Sequence, residues 1–311
     1  MKTAIFVTVL ALAIANAAGA QPAPQGQPAQ GRGQRPPADP RNRGGGNCIA
    51  NPYNCAETPN PLTPPDTVWM EDMTWMDVRD AVKAGKTTVI ISTGGIEPNG
   101  PWLALGKHNF VLKTNCNAIA RKLGNALCAP IVPFVPEGSI EPPSSHMLTV
   151  GTISLEESTF QALLTDIARS YRAHGFETII FIGDSGGNQE GMKAVADTLN
   201  AQWNARPVVA HIPEYYAYNT VAKLLTDLGV TKADGPRDNL HDDPGITLNM
   251  FVTDPSSVRF DQRVKANKAT IDGVSIADRA KSLELGKKIV DMRATNTVAA
   301  IKKAIADRRK S

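Results

Sequence analysis

Apolar positions along this chain follow two rhythms. β-Branched runs at residues 87–93, 177–180 and 208–212 are apolar on consecutive positions and read as short strands buried on both faces. Residues 129–135 read as a further strand, although Pro130 and Pro133 suit only an edge position or a strand that stops early. Between these runs apolar residues recur at helical spacing. Val78, Ala81 and Val82 follow a Thr74 N-cap and stop at Gly85. A helix is predicted over 109–123, closed by Gly124. Another carries Leu155, Leu163, Leu164, Ile167 and Tyr171 and ends at His174-Gly175, with Ser154 and Glu157 spaced as a capping box. Gln189–Trp203 places Met192, Val195, Ala196 and Leu199 on one face. Helices are also predicted over 220–228 and 275–310, and residues 246–252 suit either a helix or a strand.

Strand and helix alternate throughout. That order predicts an α/β class fold, a three-layer α/β/α domain with a mostly parallel sheet. The centre of the pattern is Gly183-Asp184-Ser185-Gly186-Gly187-Asn188, a Gly-rich turn between the strand at 177–180 and its following helix. Such a turn sets backbone N–H groups and small polar side chains at the carboxyl edge of the sheet, where open α/β sheets hold their ligands. The loops expected at that edge bring Glu97, Asn99 and His108, then Glu141 and His146, then Asp184 and Ser185, and last His241, Asp242 and Asp243.

Composition adds a compartment. Lys2, an apolar run over 4–15 and small residues at Ala18 and Ala20 predict a secretory signal peptide over 1–20, and so a periplasmic or secreted protein. That run is too short for a membrane span, and no later stretch qualifies. Residues 21–66 are rich in Pro, Gly, Gln and Arg and read as an arm; residues 67–311 form the domain, without internal repeats. The arm lacks the interleaved aromatic residues of a nucleic-acid binder. Cys48 and Cys55 flank a small loop and suit a local disulfide in an oxidising compartment, whereas Cys116 and Cys128 suit either a bridge or two buried thiols. No Cys-x-x-Cys pair offers a thiolate zinc site. The formal charge of +3 and 42% hydrophobic residues are ordinary for a globular protein.

The motifs at the expected edge resemble those of the creatininase (creatinine amidohydrolase) family. The Gly151-Thr152-Ile153-Ser154-Leu155 helix entry is intact, and the first loop keeps Glu97. The resemblance covers about residues 70–265 and implies a layered α/β domain, a homo-oligomer (often a hexamer) and two divalent metals that drive amide hydrolysis. It gives Glu97 a metal-ligand position and His241 a place near the reacting amide. At the family's other positions this chain departs: Asn99 replaces a histidine, His108 the bridging aspartate, Ser185 the histidine of the Gly-Gly-Asn turn and Ile246 a glutamate. A histidine cannot bridge two metals as a carboxylate can, so the family's two-metal site is not expected here.

Three chemistries remain open. In the first, Glu97, His108 and Asp184 hold one divalent ion, Zn or Mn, and His241 shuttles the proton in hydrolysis of a small amide. In the second, Ser185 in a Gly-x-Ser-x-Gly turn is a nucleophile, with His241 as base and Asp238, Asp242 or Asp243 orienting it. In the third the chain binds a small molecule without turnover or metal, in a cleft lined by Asn99, Trp102, Tyr215 and Tyr216. Asn99, Trp102, His146, Tyr215 and Asp242 are the expected substrate contacts, with His146 on a lid-like loop.

Overall fold

The structure is a computed structural model that describes residues 42–43, 46–48, 51–230 and 241–308. The expected signal peptide, most of the arm and Asp238 lie outside the described residues. The chain divides into two compact units, one through Pro59 and one from Asn60. In the first, Asn42–Arg43 pairs with Gly46–Asn47, and Cys48 is bonded to Cys55.

The second unit is built on four parallel strands: β1 (Thr88–Thr93), β2 (Ala126–Cys128), β3 (Thr178–Gly183) and β4 (Val208–His211), in the order β2-β1-β3-β4. All six residues of β1 and of β3 are buried, as strands covered on both faces require. Their alternation divides the core in two. Ile90, Ile180 and Ile182 point to one side, against Leu112, Cys116 and Ile119 of α2 (Lys107–Leu123) and Ala294, Val298 and Ile301 of α8 (Arg279–Arg308). Val89, Ile91, Ile179 and Phe181 point to the other, against Phe160 and Leu164 of α3 (Glu157–Ala173) and Met192, Val195 and Leu199 of α4 (Gln189–Trp203). Burying each such large apolar side chain is worth about 1.5–3 kcal/mol. Sheet and helices thus form the three layers the alternation predicts.

The remaining helices are α1 (Trp75–Lys83), α5 (Tyr218–Asp227), α6 (Pro244–Thr253) and α7 (Phe260–Lys265). Thr74 caps α1 in a full capping box with Asp77. The ambiguous segment at 246–252 belongs to α6, whose residues from Pro244 through Phe251 are all buried. It packs between α8 and α2. Gly286 permits that approach, because a Cβ there would collide with the carbonyl oxygen of Leu248. A two-stranded ribbon, β5 (Thr270–Ile271) and β6 (Val274–Ser275), precedes α8.

Two local expectations are corrected. The strand predicted over 129–135 is instead β2, an edge strand that ends before Pro130; beyond it only single bridges remain, Thr93 with Val132 and Val135 with Ser154. The Ser154–Glu157 capping box does not form. Ser154 Oγ is committed to the preceding loop, accepting from Glu137 N–H (2.9 Å) and donating to Gly138 O (2.7 Å), and the N-cap of α3 is Glu156. Cys116 and Cys128, left open by the sequence, are bonded to each other and tie α2 to the edge strand. Among the described residues no helix is long and apolar enough to cross a membrane.

Candidate active site

The carboxyl ends of β1 and β3 lead directly into the site. The Asp184 amide donates to Thr93 O, and the Asn188 side-chain amide donates to Thr93 O (3.1 Å) and Gly94 O (2.9 Å). The Gly-rich turn is therefore clamped to the end of the neighbouring strand. The loop after β1 is held from within by Asn99, whose Nδ2 donates to the carbonyls of Glu97, Ala104 and Leu105. This fixes Glu97 at the base of a cleft of about 940 Å³, whose walls include Lys107, His108, Glu137, His146, Tyr216 and His241.

Glu97 is the hub. Its Oε1 accepts from Lys107 Nζ at 2.6 Å and lies 2.9 Å from His108 Nε2 and 3.3 Å from His241 Nδ1; its Oε2 lies 2.8 Å from His146 Nδ1. His146 Nδ1 is also 3.1 Å from Glu137 Oε2. The His146 and His241 rings meet edge to face at 5.4 Å. Left-handed backbone at Ser145 (φ 52°) and at His241 itself (φ 62°) sets these two rings; non-glycine residues rarely adopt it, and such strain concentrates at functional sites.

Behind His108 lies a second layer of charge. Asp184 Oδ2 is 2.9 Å from His108 Nδ1, Arg293 Nη2 donates to Asp184 Oδ1 at 2.9 Å, and Tyr218 Oη donates to both carboxylate oxygens at 2.8 Å. Arg293 in turn stacks on the rings of Tyr215 and Tyr218. With Nδ1 of His108 committed to Asp184, the ring is aimed by a carboxylate and turns Nε2 toward Glu97.

The buried charges shift one another. Burial opposes ionisation of Glu97, but the His108 hydrogen bond and charge and the Lys107 charge outweigh it, so Glu97 stays ionised well below the usual carboxylate range. Glu137 beside it goes the other way: burial and the neighbouring Glu97 push it up to about 9, so it keeps its proton at neutral pH. Burial lowers Lys107. Burial and the Lys107 charge lower His241, which favours its neutral ring.

These donors include sets that could hold a metal ion. Among the described residues, two groups of three have ligand atoms within 4.8 Å of one another: Glu97 with His146 and His241, and Glu97 with His108 and Glu137. Oε1 of Glu137 is buried and has no hydrogen-bond partner among the described residues, so a cation entering that group would have to displace the Glu137 proton. Nitrogen and oxygen donors of this kind are those Zn or Mn accepts.

Of the sequence-predicted site residues, the fold brings Glu97, His108, Asp184, His146 and His241 into one network, but several roles change. Asp184 has both oxygens occupied by protein donors and orients His108 rather than facing a cation. Ser185 lines the cleft, yet no hydrogen bond joins it to His241 among the described residues, and its extended backbone (φ −105°, ψ 149°) lacks the sharp strained turn of a nucleophile elbow. Asn99, Trp102, Tyr215 and Asp242 are not in the cleft wall. Asn99 braces its own loop. Trp102 lies 5.8 Å from the Arg263 guanidinium, which pairs with buried Asp242 at 2.7 Å. Tyr215 is core beneath Arg293.

Sequence reasoning missed Glu137, Lys107, Tyr218 and Arg293. Two of them left a trace. Lys107 is the first residue of α2, where a cation opposes the helix dipole. Arg293 interrupts the buried row Leu285, Ile289, Thr297, Ile301 on α8.

Residues 71–301 match the family model described as Creatininase: Creatinine amidohydrolase. A crystal structure of creatinine amidohydrolase (creatininase) superimposes with TM-score 0.53 at 18% identity, covering 78% of this chain and 98% of that one. A mutant creatininase described as Zn-Zn type and a structure described as Creatininase Mn each give TM-score 0.55 at 19% identity, covering 78% and 77% of this chain respectively and 99% of theirs. At such identities these likenesses speak for the fold. No curated protein sequence matches the chain.

Proposed function

The chain belongs to the creatininase family of amidohydrolases, and we propose that it is an exported hydrolase of a C–N bond in a small cyclic or linear amide, working with one divalent metal, Zn or Mn. The observation that carries this reading is the convergence of Glu97, His146 and His241 at the base of the cleft, with protonated Glu137 beside them. Glu97, His146 and His241 would hold the ion. A bound divalent ion of this kind polarises a carbonyl oxygen and lowers the pKa of water to about 7.

The chain's own groups supply the rest. Asp184 and Arg293 keep His108 fixed behind Glu97, and Lys107 holds the same carboxylate oxygen. Glu137, holding its proton at neutral pH, is placed to give it to the departing nitrogen, which must leave as an amine. Tyr216 and Tyr218 form an aromatic wall, meeting edge to face at 5.5 Å, that limits the substrate to a small molecule.

Export is supported by the bonds Cys48–Cys55 and Cys116–Cys128, which persist in oxidising compartments; a mature N-terminus at Gln21, read by mass spectrometry, tests it. By the family resemblance the chain is also read as a homo-oligomer, hexameric, which light scattering tests. The hydrolase reading is tested by amine release from a panel of small lactams and linear amides, before and after chelation. Release abolished by chelator and restored by Zn or Mn supports it; no release from any member opposes it.

A further inference from the structure

The two ligand groups share Glu97 but differ in depth. Glu97, His108 and Glu137 are all buried, whereas His146 and His241 of the other group are partly exposed at the cleft. The buried group already has a cation against it. Lys107 Nζ lies 2.6 Å from Glu97 Oε1, the same oxygen that faces His108 Nε2, and its side chain is 1% exposed. Asp184 also acts on this ammonium through charge. Nothing local favours such a lysine. Taking an ammonium out of water is unfavourable, and the N-terminal position on α2 sets it against the helix dipole. The ionised Glu97 carboxylate in contact with it compensates it, and that is a group a buried metal would need.

We propose that the Lys107 ammonium is a built-in cation that fills the inner position of the site, leaving the outer group, Glu97 with His146 and His241, as the place for a single exchangeable divalent ion. The inference rests on the metal reading above. It explains how the Glu97 carboxylate is kept in a dry site: its counter-charge is covalently attached. One ion and one ammonium then face the reacting amide from the same carboxylate.

The test is Co²⁺ binding to the purified full chain, followed by calorimetry and by the visible absorption of the ion. The wild type is expected to bind one Co²⁺. Lys107→Met, which keeps the side chain's length and removes its charge, is expected to bind two, and Lys107→Arg one. His146→Ala should abolish binding in the wild-type background, and His108→Ala should leave the single ion in place. The His108 variant keeps the idea falsifiable if Lys107→Met does not fold. Two ions in the wild type, none in the wild type, one in a folded Lys107→Met, or loss of the ion in His108→Ala would each overturn it. One ion bound with no amide released would sink the hydrolase reading alone.

Discussion

Asp184 and Arg293 are separated by 109 positions and meet at 2.9 Å with both side chains out of solvent. One belongs to the turn after β3 and the other to the C-terminal helix, so the pair fastens α8 beneath the site. Removing only the arginine leaves a buried carboxylate held by His108 and Tyr218 alone, and breaking such a buried pair costs about 3–5 kcal/mol. Arg293→Met is expected to lower the denaturant midpoint accordingly, and adding Asp184→Asn should recover part of the loss. The pH dependence has a definite sign. Burial raises Asp184, but Arg293 and His108 outweigh it and hold the carboxyl below 3.8. The stability it confers is therefore full above about pH 4 and is lost as pH falls through the lowered folded value. Acid melts of the wild type and Asp184→Asn should differ at neutral pH and converge in strong acid.

The α6–α8 contact gives a case where two principles oppose. Ala in a helix interior is favoured over Gly by about 1 kcal/mol. At Gly286, however, the added Cβ would meet the Leu248 carbonyl, a backbone atom that cannot rotate away. Overpacking of that kind costs about 1–3 kcal/mol. Gly286→Ala should therefore destabilise on balance, measured by urea unfolding, whereas an exposed position on the same helix should not respond in this way.

The layers of this fold were legible because β1 and β3 are continuous apolar runs and α3 and α4 carry one-sided stripes. The boundary at β2 was not, since the apolar residues after Pro130 look like strand while the prolines deny the ladder its donors. The site was half legible. Glu97, His108, Asp184, His146 and His241 announce themselves as polar residues in segments expected at the carboxyl edge of the sheet. Glu137 looked like one more loop carboxylate until the chain turned back at Ser154 and buried it. Tyr215, Asn99 and Asp242 misled for the opposite reason: polar groups near a cleft in sequence were spent on Arg293, on backbone carbonyls and on Arg263. Partnership decides role, and partners 21 positions away, as for Asp242, or 78 away, as for Tyr215, are invisible to spacing.

Glu137 makes a pH prediction of the other sign. Its carboxyl is raised by burial and by Glu97 to about 9, above the ordinary 4.5. A raised group favours the protonated folded state, so its contribution is complete below pH 4.5 and disappears as pH climbs through about 9. With chelator present to exclude metal, thermal stability of the wild type should decline between neutral pH and pH 10. Glu137→Gln, which cannot ionise, should flatten that slope. An unchanged slope in the variant would show that Glu137 titrates normally.

Ser185 provides the sharpest test of which chemistry the cleft runs. It sits at the carboxyl end of β3 in a Gly-x-Ser-x-Gly turn, but His241 is engaged with Glu97 and the Pro98 carbonyl instead. A serine without a base keeps its proton at neutral pH and attacks slowly. Ser185→Ala is therefore expected to retain amide hydrolysis within about threefold, a change below about 0.7 kcal/mol, and the wild type should resist labelling by a serine-directed phosphonate. His146→Ala, by contrast, removes one of three outer ligands and should cost at least a hundredfold, of the order of 3 kcal/mol. Stoichiometric labelling that Ser185→Ala abolishes would reverse the assignment and make His241 a base rather than a ligand.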